Sequence, residues 1–209
     1  MRRVLLAAGA VLALAAAPAT AATITDAVGD FLPTYAGPLD ADLDVISFNV
    51  VFDDVDDAFR LTAAMAGDID PAKAGLYAIG VDTGTGPIAP FADVGAPNVR
   101  FNQVVAVQKS GAAMLSGSPL SALVFGNVFT IVVPLALLPS TGFAPTDYGF
   151  NIWPRIAFVS SNDISDFAPN DGVFAASVPE PASWALMIAG FGLAGGLLRR
   201  RSLRAAVPV

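Results

Sequence analysis

Short hydrophobic runs separated by turn residues cover most of the chain and predict β-structure. In the run 45–52, apolar and polar residues partly alternate, and in 98–109 the side chains of Val99, Phe101 and Gln103 fall on one face. A period of two is typical of a strand that is buried on one side only. The predicted strands are 45–52, 58–65, 76–81, 98–109, 112–115, 120–125, 127–134, 148–158 and 173–175.

The turn residues between these runs predict an all-β domain. Four aspartates within 53–57 separate the first two strands, and aspartate favours turns, so this pair is predicted to form a β-hairpin. Clusters of Gly, Pro and Asp end the other strands, and no long amphipathic helix occurs between residues 22 and 177. About eight short strands of this kind favour a two-sheet β-sandwich, of which the jelly roll is one form.

The N-terminal end of the chain is hydrophobic over a longer run. Arg2 and Arg3 precede the apolar run 4–17, and the small residues of 18–22 follow it. A basic start, an apolar centre and small residues at the cleavage point are typical of a secretory signal peptide. The sequence therefore predicts a signal helix in residues 1–21, with cleavage after Ala21.

The C-terminal end carries a second apolar run. Residues 182–198 contain 17 positions without a charge, which is at the short end of the length that a transmembrane helix needs. The arginines that follow are expected on the cytoplasmic side of the membrane. The sequence therefore predicts a C-terminal transmembrane helix that contacts membrane lipid.

The residues around this run form a recognisable motif. A Pro-Glu-Pro tripeptide, a Trp-Ala pair, the apolar run and an arginine cluster follow one another in that order. This tail resembles the PEP-CTERM sorting signal of Gram-negative bacteria, in the variant with Trp-Ala after the tripeptide. The resemblance implies that an exosortase, an integral membrane protease-transpeptidase, recognises the tail, and it links the chain to exopolysaccharide, biofilm or other cell-surface material. The signal residues are Pro179, Glu180, Pro181, Trp184, Ala185, Arg199, Arg200 and Arg201.

The two ends divide the chain into three parts. These are a signal peptide, 1–21, an all-β extracellular domain, 22–177, and a sorting signal with its helix and basic stop, 178–209. Because basic residues flank both apolar runs, the domain between them is expected on the far side of the membrane. We therefore expect export across the inner membrane, transient membrane anchoring, and a final location at the cell surface or outside the cell.

The predicted extracellular domain is strongly acidic. Residues 22–177 contain 17 aspartates, no glutamate and five basic residues, which gives a formal charge of −12. Such a surface excludes nucleic acid as a partner, because nucleic-acid binding needs a basic footprint. The whole chain contains no cysteine and no histidine, which excludes thiol chemistry, Ser-His-Asp catalysis and histidine-bound zinc. These absences favour a non-enzymatic domain, and we assign no catalytic residue.

Alternating aspartates ahead of the first long strand indicate a possible cation site. Asp40, Asp42 and Asp44 fall on one face if this segment is extended, and Asp30 lies upstream. Asp26 and Gly29, also upstream, are further candidate ligands. Carboxylates on one face repel each other, and a calcium ion with oxygen ligands would relieve that repulsion. The candidate cofactor is a calcium ion, and its predicted ligands are Asp30, Asp40, Asp42 and Asp44. The alternative is a solvated strand entry and no cofactor at all.

Two other interpretations of the domain remain open. An exposed Trp153 beside Arg155 would stack a sugar ring and hydrogen-bond its hydroxyls, giving a calcium-stabilised carbohydrate-binding module with polysaccharide as partner. The alternative for this pair is a packed tryptophan and an arginine paired with an aspartate. Asp82 begins an Asp-Thr-Gly sequence after a hydrophobic strand, as in aspartic proteases, and paired aspartates also hydrolyse glycosides. An extracellular hydrolase is therefore the third interpretation, behind the favoured one of a sorted, non-enzymatic cell-surface or matrix protein.

Overall fold

Ten antiparallel strands form the domain that the sequence predicts to be all-β. The computed structural model describes residues 23–87, 90–176 and 190–193. The predicted all-β class is confirmed. The strands are β1 (Thr23–Thr25), β2 (Val45–Asp53), β3 (Ala58–Met65), β4 (Leu76–Asp82), β5 (Gln103–Gln108), β6 (Ala112–Leu115), β7 (Ser118–Phe125), β8 (Val128–Pro134), β9 (Gly149–Arg155) and β10 (Phe174–Ala175).

The strands belong to one continuous curled sheet. Their hydrogen-bonded order is β1-β2-β3-β8-β7-β6-β5-β4-β9-β10. Strand β7 turns the corner, because its residues 118–121 pair with β6 and its residues 122–125 pair with β8. The predicted sandwich of two separate sheets is therefore corrected to a single sheet, whose two halves are joined by hydrogen bonds through β7.

The main hydrophobic core lies inside the curl. Phe59 of β3 packs against Phe150 of β9 with ring centroids 5.1 Å apart, and Tyr77 of β4 stacks on Phe129 of β8 at 4.9 Å. All four rings are fully buried. Along β8 every second residue is buried in this core, and the others are partly or fully exposed. The half of the sheet that contains β8 therefore has one buried face and one face that is open to solvent.

Strands β4 and β9 are buried on both faces of the sheet. All seven residues of each strand are buried. Their outer face is covered by the loops around Phe91 and Phe167, which form a second hydrophobic cluster with Trp153. A Cβ atom on Gly80 of β4 would lie 2.5 Å from the Trp153 ring, so only glycine fits there. This double burial explains why 76–81 is a continuous apolar run instead of an alternating one.

Several strand bounds differ from the prediction, in which 148–158 was one long strand interrupted at Pro154. Strand β5 begins only at Gln103, because the preceding residues belong to the loop over the second cluster. Pro154 does not interrupt β9. It pairs with Tyr77 on one side, and on the other side its carbonyl oxygen accepts a hydrogen bond from Ser165 at 3.0 Å. A proline fits where no neighbouring strand needs its missing N–H. The short strand β1 was not predicted.

The predicted hairpin between the first two long strands is confirmed. Strands β2 and β3 pair as far as Asp53 and Ala58. The carboxylate of Asp53 accepts hydrogen bonds from the backbone N–H groups of Val55 and Asp56, at 3.0 and 3.1 Å. This aspartate therefore closes the turn by bonding to the backbone.

The terminal segments are described only in part. Residues 190–193 are helical. Among the residues that the structure describes, no helix has the length and hydropathy needed to cross a membrane. The predicted signal helix, 1–21, lies outside the described residues, and so do 182–189 and 194–198 of the predicted transmembrane helix.

Candidate metal centre

Four aspartates from three segments of the chain come together at one end of the domain. Asp26 and Asp30 lie in the loop after β1, Asp44 immediately precedes β2, and Asp166 lies in the loop after β9. Asp30 and Asp44 were predicted as cation ligands, and Asp26 was a further upstream candidate. Asp166 was not predicted, because no spacing in the sequence connects it with the other three.

Main-chain hydrogen bonds fix the loop that carries Asp26 and Asp30. The N–H of Asp26 donates to the carbonyl of Ile46 in β2 at 3.0 Å. The N–H of Leu32 donates to the carbonyl of Ser165 at 2.8 Å. The loop is thereby held against both the first long strand and the loop after β9.

Three of the carboxylates are close enough to share one cation. One oxygen each from Asp26, Asp30 and Asp166 lies within 4.8 Å of the other two. Calcium binds oxygen at 2.3–2.6 Å, so two ligands on opposite sides of the ion are about 5 Å apart. The cluster therefore has dimensions that fit a calcium ion.

Asp166 is the buried member of the cluster. Its Oδ2 accepts a hydrogen bond from the N–H of Val45 at 2.8 Å, and its Oδ1 accepts one from Phe167 at 2.6 Å. Burial, together with the negative charges of Asp26 and Asp30, raises the pKa of Asp166 to about 8. Burial and then the charge of Asp30 raise the pKa of Asp26 to about 6. Both shifts come first from burial, and the neighbouring carboxylates add to them.

Asp44 places a further carboxylate beside the cluster. Its side chain is buried, and its Oδ2 accepts a hydrogen bond from the N–H of Gly29, the neighbour of Asp30, at 2.7 Å. The other oxygen, Oδ1, is buried and has no hydrogen-bond partner among the described residues, and the same is true of Oδ1 of Asp30. Buried polar atoms without partners are rare in proteins and call for an explanation.

A side-chain amide and a main-chain carbonyl complete the surroundings. In one orientation the amide nitrogen of Asn170 lies 3.5 Å from Oδ2 of Asp30. With the amide rotated, the nitrogen donates to both carboxylate oxygens of Asp26 at 3.3 Å and to the carbonyl of Phe167 at 2.8 Å. Asn170 can therefore present either its nitrogen or its oxygen to this side of the cluster.

Asp40 and Asp42, the other two predicted calcium ligands, have cationic partners elsewhere. Asp40 pairs with Lys73 at 2.7 Å on the surface. Asp42 pairs with Lys109 at 2.8 Å in the interior. Residues 41–43 form a short 3₁₀ helix instead of an extended strand, so the three aspartates do not share one face. The predicted four-aspartate set is corrected accordingly.

The residues predicted to bind sugar lie in the interior. Trp153 is only 1% exposed and packs against Phe91 and Phe101. Arg155 is also buried, and it donates hydrogen bonds to the carbonyls of Ala157 and Ser160. Neither side chain presents a surface on which a sugar ring could stack. Trp153 is enclosed because loops of the second hydrophobic cluster cover the outer face of β9.

Asp82, the residue in the Asp-Thr-Gly sequence, organises a loop. Its Oδ1 accepts hydrogen bonds from the N–H groups of Gly84 and Gly86, both at 3.0 Å. The adjacent Thr83 hydroxyl bonds to Thr141 at 3.0 Å. These contacts are those of a side chain that closes a turn by bonding to the backbone two and four residues ahead.

The pH dependence of stability follows from the two raised pKa values. Aspartate in the unfolded chain has a pKa near 3.8, whereas Asp26 and Asp166 in the fold have pKa values of about 6 and about 8. Between these limits the folded chain binds more protons than the unfolded chain, so raising the pH lowers the stability. In the presence of a chelator, we expect the free energy of unfolding from urea titrations to fall by at least about 1 kcal/mol between pH 5 and pH 8. Asp166→Asn should flatten this slope, and a slope that rises with pH would contradict the assignment.

The residues of the predicted sorting signal lie outside the described part of the chain. They are Pro179, Glu180, Pro181, Trp184, Ala185, Arg199, Arg200 and Arg201. The evidence for the sorting signal comes from a comparison with known protein families. Residues 177–202 match the PEP-CTERM protein-sorting motif. No curated protein and no solved structure gives a significant match to the chain. The chain therefore carries a PEP-CTERM sorting signal, which implies export, recognition by an exosortase, and sorting to the cell envelope or surface.

Proposed function

We propose that this protein is a non-enzymatic component of the cell surface or of the extracellular matrix. The observation that carries the proposal is the PEP-CTERM motif at residues 177–202, which directs the chain to an exosortase. The C-terminal helix would anchor the exported domain in the membrane until the signal is cut. The β domain would then join exopolysaccharide or biofilm material.

The contacts of Asp42, Asp53 and Asp82 support a non-enzymatic role. Asp53 and Asp82 bond to turn N–H groups, and Asp42 is neutralised by Lys109. Each of these carboxylates has a structural task, whereas a general acid or base needs an oxygen that is available to substrate. A hydrolase that uses one of these three aspartates therefore has less support than a structural component.

Carbohydrate binding through Trp153 is also less well supported. Sugar recognition by stacking needs an aromatic face that is open to solvent, and this ring is enclosed. A contact between the domain and polysaccharide would have to use other residues.

The proposal predicts that the sorting signal is needed for processing and that the domain folds without it. We expect Glu180→Ala, or replacement of Arg199, Arg200 and Arg201 by alanine, to leave most of the chain at its unprocessed mass. The reason is that the tripeptide is the recognition element and the arginines stop transfer at the membrane. An immunoblot of membrane, surface and medium fractions measures the result.

Arg204→Ala is the matched control, because Arg204 lies just beyond the matched residues. Its processed product should appear in normal amount. If Glu180→Ala yields the processed product as efficiently as Arg204→Ala does, the proposed route is refuted. Resistance of the accumulated β domain to protease distinguishes a sorting defect from unfolding.

A further inference from the structure

We propose that Asp26, Asp30 and Asp166 bind one calcium ion, and that this ion fastens the N-terminal segment to the rest of the β domain. Their three carboxylate oxygens lie within 4.8 Å of one another. No lysine or arginine forms an ion pair with any of them among the described residues. A divalent cation is the partner that their charge and spacing require.

A second observation, separate from the cluster itself, points to a bound ion. Asp44 is only 2% exposed, and its carboxylate faces the same loop, because it accepts a hydrogen bond from Gly29 beside Asp30. Its Oδ1 is buried and unpaired, as is Oδ1 of Asp30. Leaving such atoms unpaired in the interior is costly, and a cation beside them removes the cost.

The ligand types favour calcium over magnesium. Calcium accepts six to eight oxygen ligands in flexible arrangements, whereas magnesium demands a near-octahedral set and retains several waters. Two carboxylates from the loop after β1 and one from the loop after β9 form an irregular set of oxygen ligands. Because the chain is exported, the dissociation constant is expected in the range of extracellular calcium modules, roughly 10⁻⁴–10⁻³ M.

The position of the site defines what the ion does. The ligands come from the loop after β1 and from the loop after β9, which are distant in sequence. Strand β1 has only three residues and lies at the edge of the sheet, so it contributes few hydrogen bonds of its own. Calcium would hold this edge in place, and its removal would leave repelling carboxylates there.

The test uses the purified full chain after removal of metal with EDTA. Isothermal titration with calcium chloride should show one site per chain. Calcium at about one hundred times its dissociation constant should raise the melting temperature by about 5–10 °C. Magnesium should bind at least about tenfold more weakly, because the site lacks its preferred geometry.

Asp30→Asn removes one ligand charge with almost no change in shape. We expect its calcium affinity to fall at least about tenfold, as losses of metal-site partners typically do. In EDTA the same variant should melt at or above the temperature of the unmodified protein, because a repelling charge is gone. A purely structural carboxylate would not give this reversal of sign.

Asp40→Asn is the matched control, since Asp40 is ion-paired with Lys73 outside the cluster. It should bind calcium with unchanged affinity. The proposal is overturned if the unmodified protein shows no calcium-dependent melting shift, if magnesium binds equally well, or if Asp30→Asn retains normal affinity. None of these results depends on the sorting route, which the processing assay tests separately.

Discussion

Replacing Lys109 by methionine is expected to lower the free energy of unfolding by about 3–5 kcal/mol. The ammonium of Lys109 lies 2.8 Å from Oδ2 of Asp42, and the two side chains are 2% and 3% exposed. Methionine keeps the length of the side chain but leaves Asp42 as a buried carboxylate without a cation. The N–H of Asp70, which donates to Oδ2 of Asp42 at 3.0 Å, would remain, but Oδ1 has no hydrogen-bond partner among the described residues. Urea titration at neutral pH measures the loss.

Lys73→Met provides the matched comparison, because Lys73 forms the other lysine–aspartate pair, with Asp40 at the surface. That variant should unfold at nearly the same urea concentration as the unmodified protein, since exposed pairs contribute little. The double variant Lys109→Met with Asp42→Leu should recover most of the loss, because apolar residues often replace a buried pair without penalty. Equal urea midpoints for the Lys109→Met and Lys73→Met variants would show that the interior pair is not a stability determinant.

Trp153→Ala is expected to destabilise the domain by a similar amount, about 3–5 kcal/mol. The ring is enclosed by Phe91, Phe101 and Phe167, with ring centroids 5.1, 4.9 and 6.2 Å away. Truncation would leave a cavity on the outer face of β9 that Gly80 on the neighbouring strand cannot fill. Thermal and urea unfolding both measure the effect.

Phe125→Ala is the control for the loss of a large aromatic side chain, because Phe125 is 89% exposed. Its free energy of unfolding should change by no more than about 0.5 kcal/mol. Trp153→Phe should retain part of the stability, since the indole nitrogen has no hydrogen-bond partner to lose among the described residues. If Trp153→Ala unfolds normally but abolishes polysaccharide binding, the ring acts as a binding residue and the packing argument fails.

Local patterns in the sequence correctly predicted the elements that depend on local burial. The partial alternation in 45–52 and the hydrophobic run in 127–134 correctly predicted strands β2 and β8, and the aspartates at 53–57 predicted the hairpin turn. The order of tripeptide, apolar run and arginines predicted the sorting signal that residues 177–202 match. These features are readable because neighbouring residues alone determine them.

Prediction from local spacing fails for the three aspartates Asp40, Asp42 and Asp44. They are identical in type and evenly spaced, which predicted one shared face and one calcium site. In the fold one pairs with a surface lysine, one with a buried lysine, and one accepts a hydrogen bond from Gly29 beside the acidic cluster. Each partner lies far along the chain, so the spacing of the aspartates carries no information about it.

By itself, then, the sequence determined the all-β class, the hairpin and the sorting tail, because strand periodicity, turn chemistry and a linear motif act over a few residues. Only the tertiary structure decided that the sheet is continuous through β7, that loops enclose Trp153 on the outer face of β9, and that Asp26 and Asp30 meet Asp166. The physical reason is that strand register and loop packing bring together separate segments, such as those of Val45 and Asp166, which are 121 residues apart. Burial and unpaired charge arise only where such segments meet.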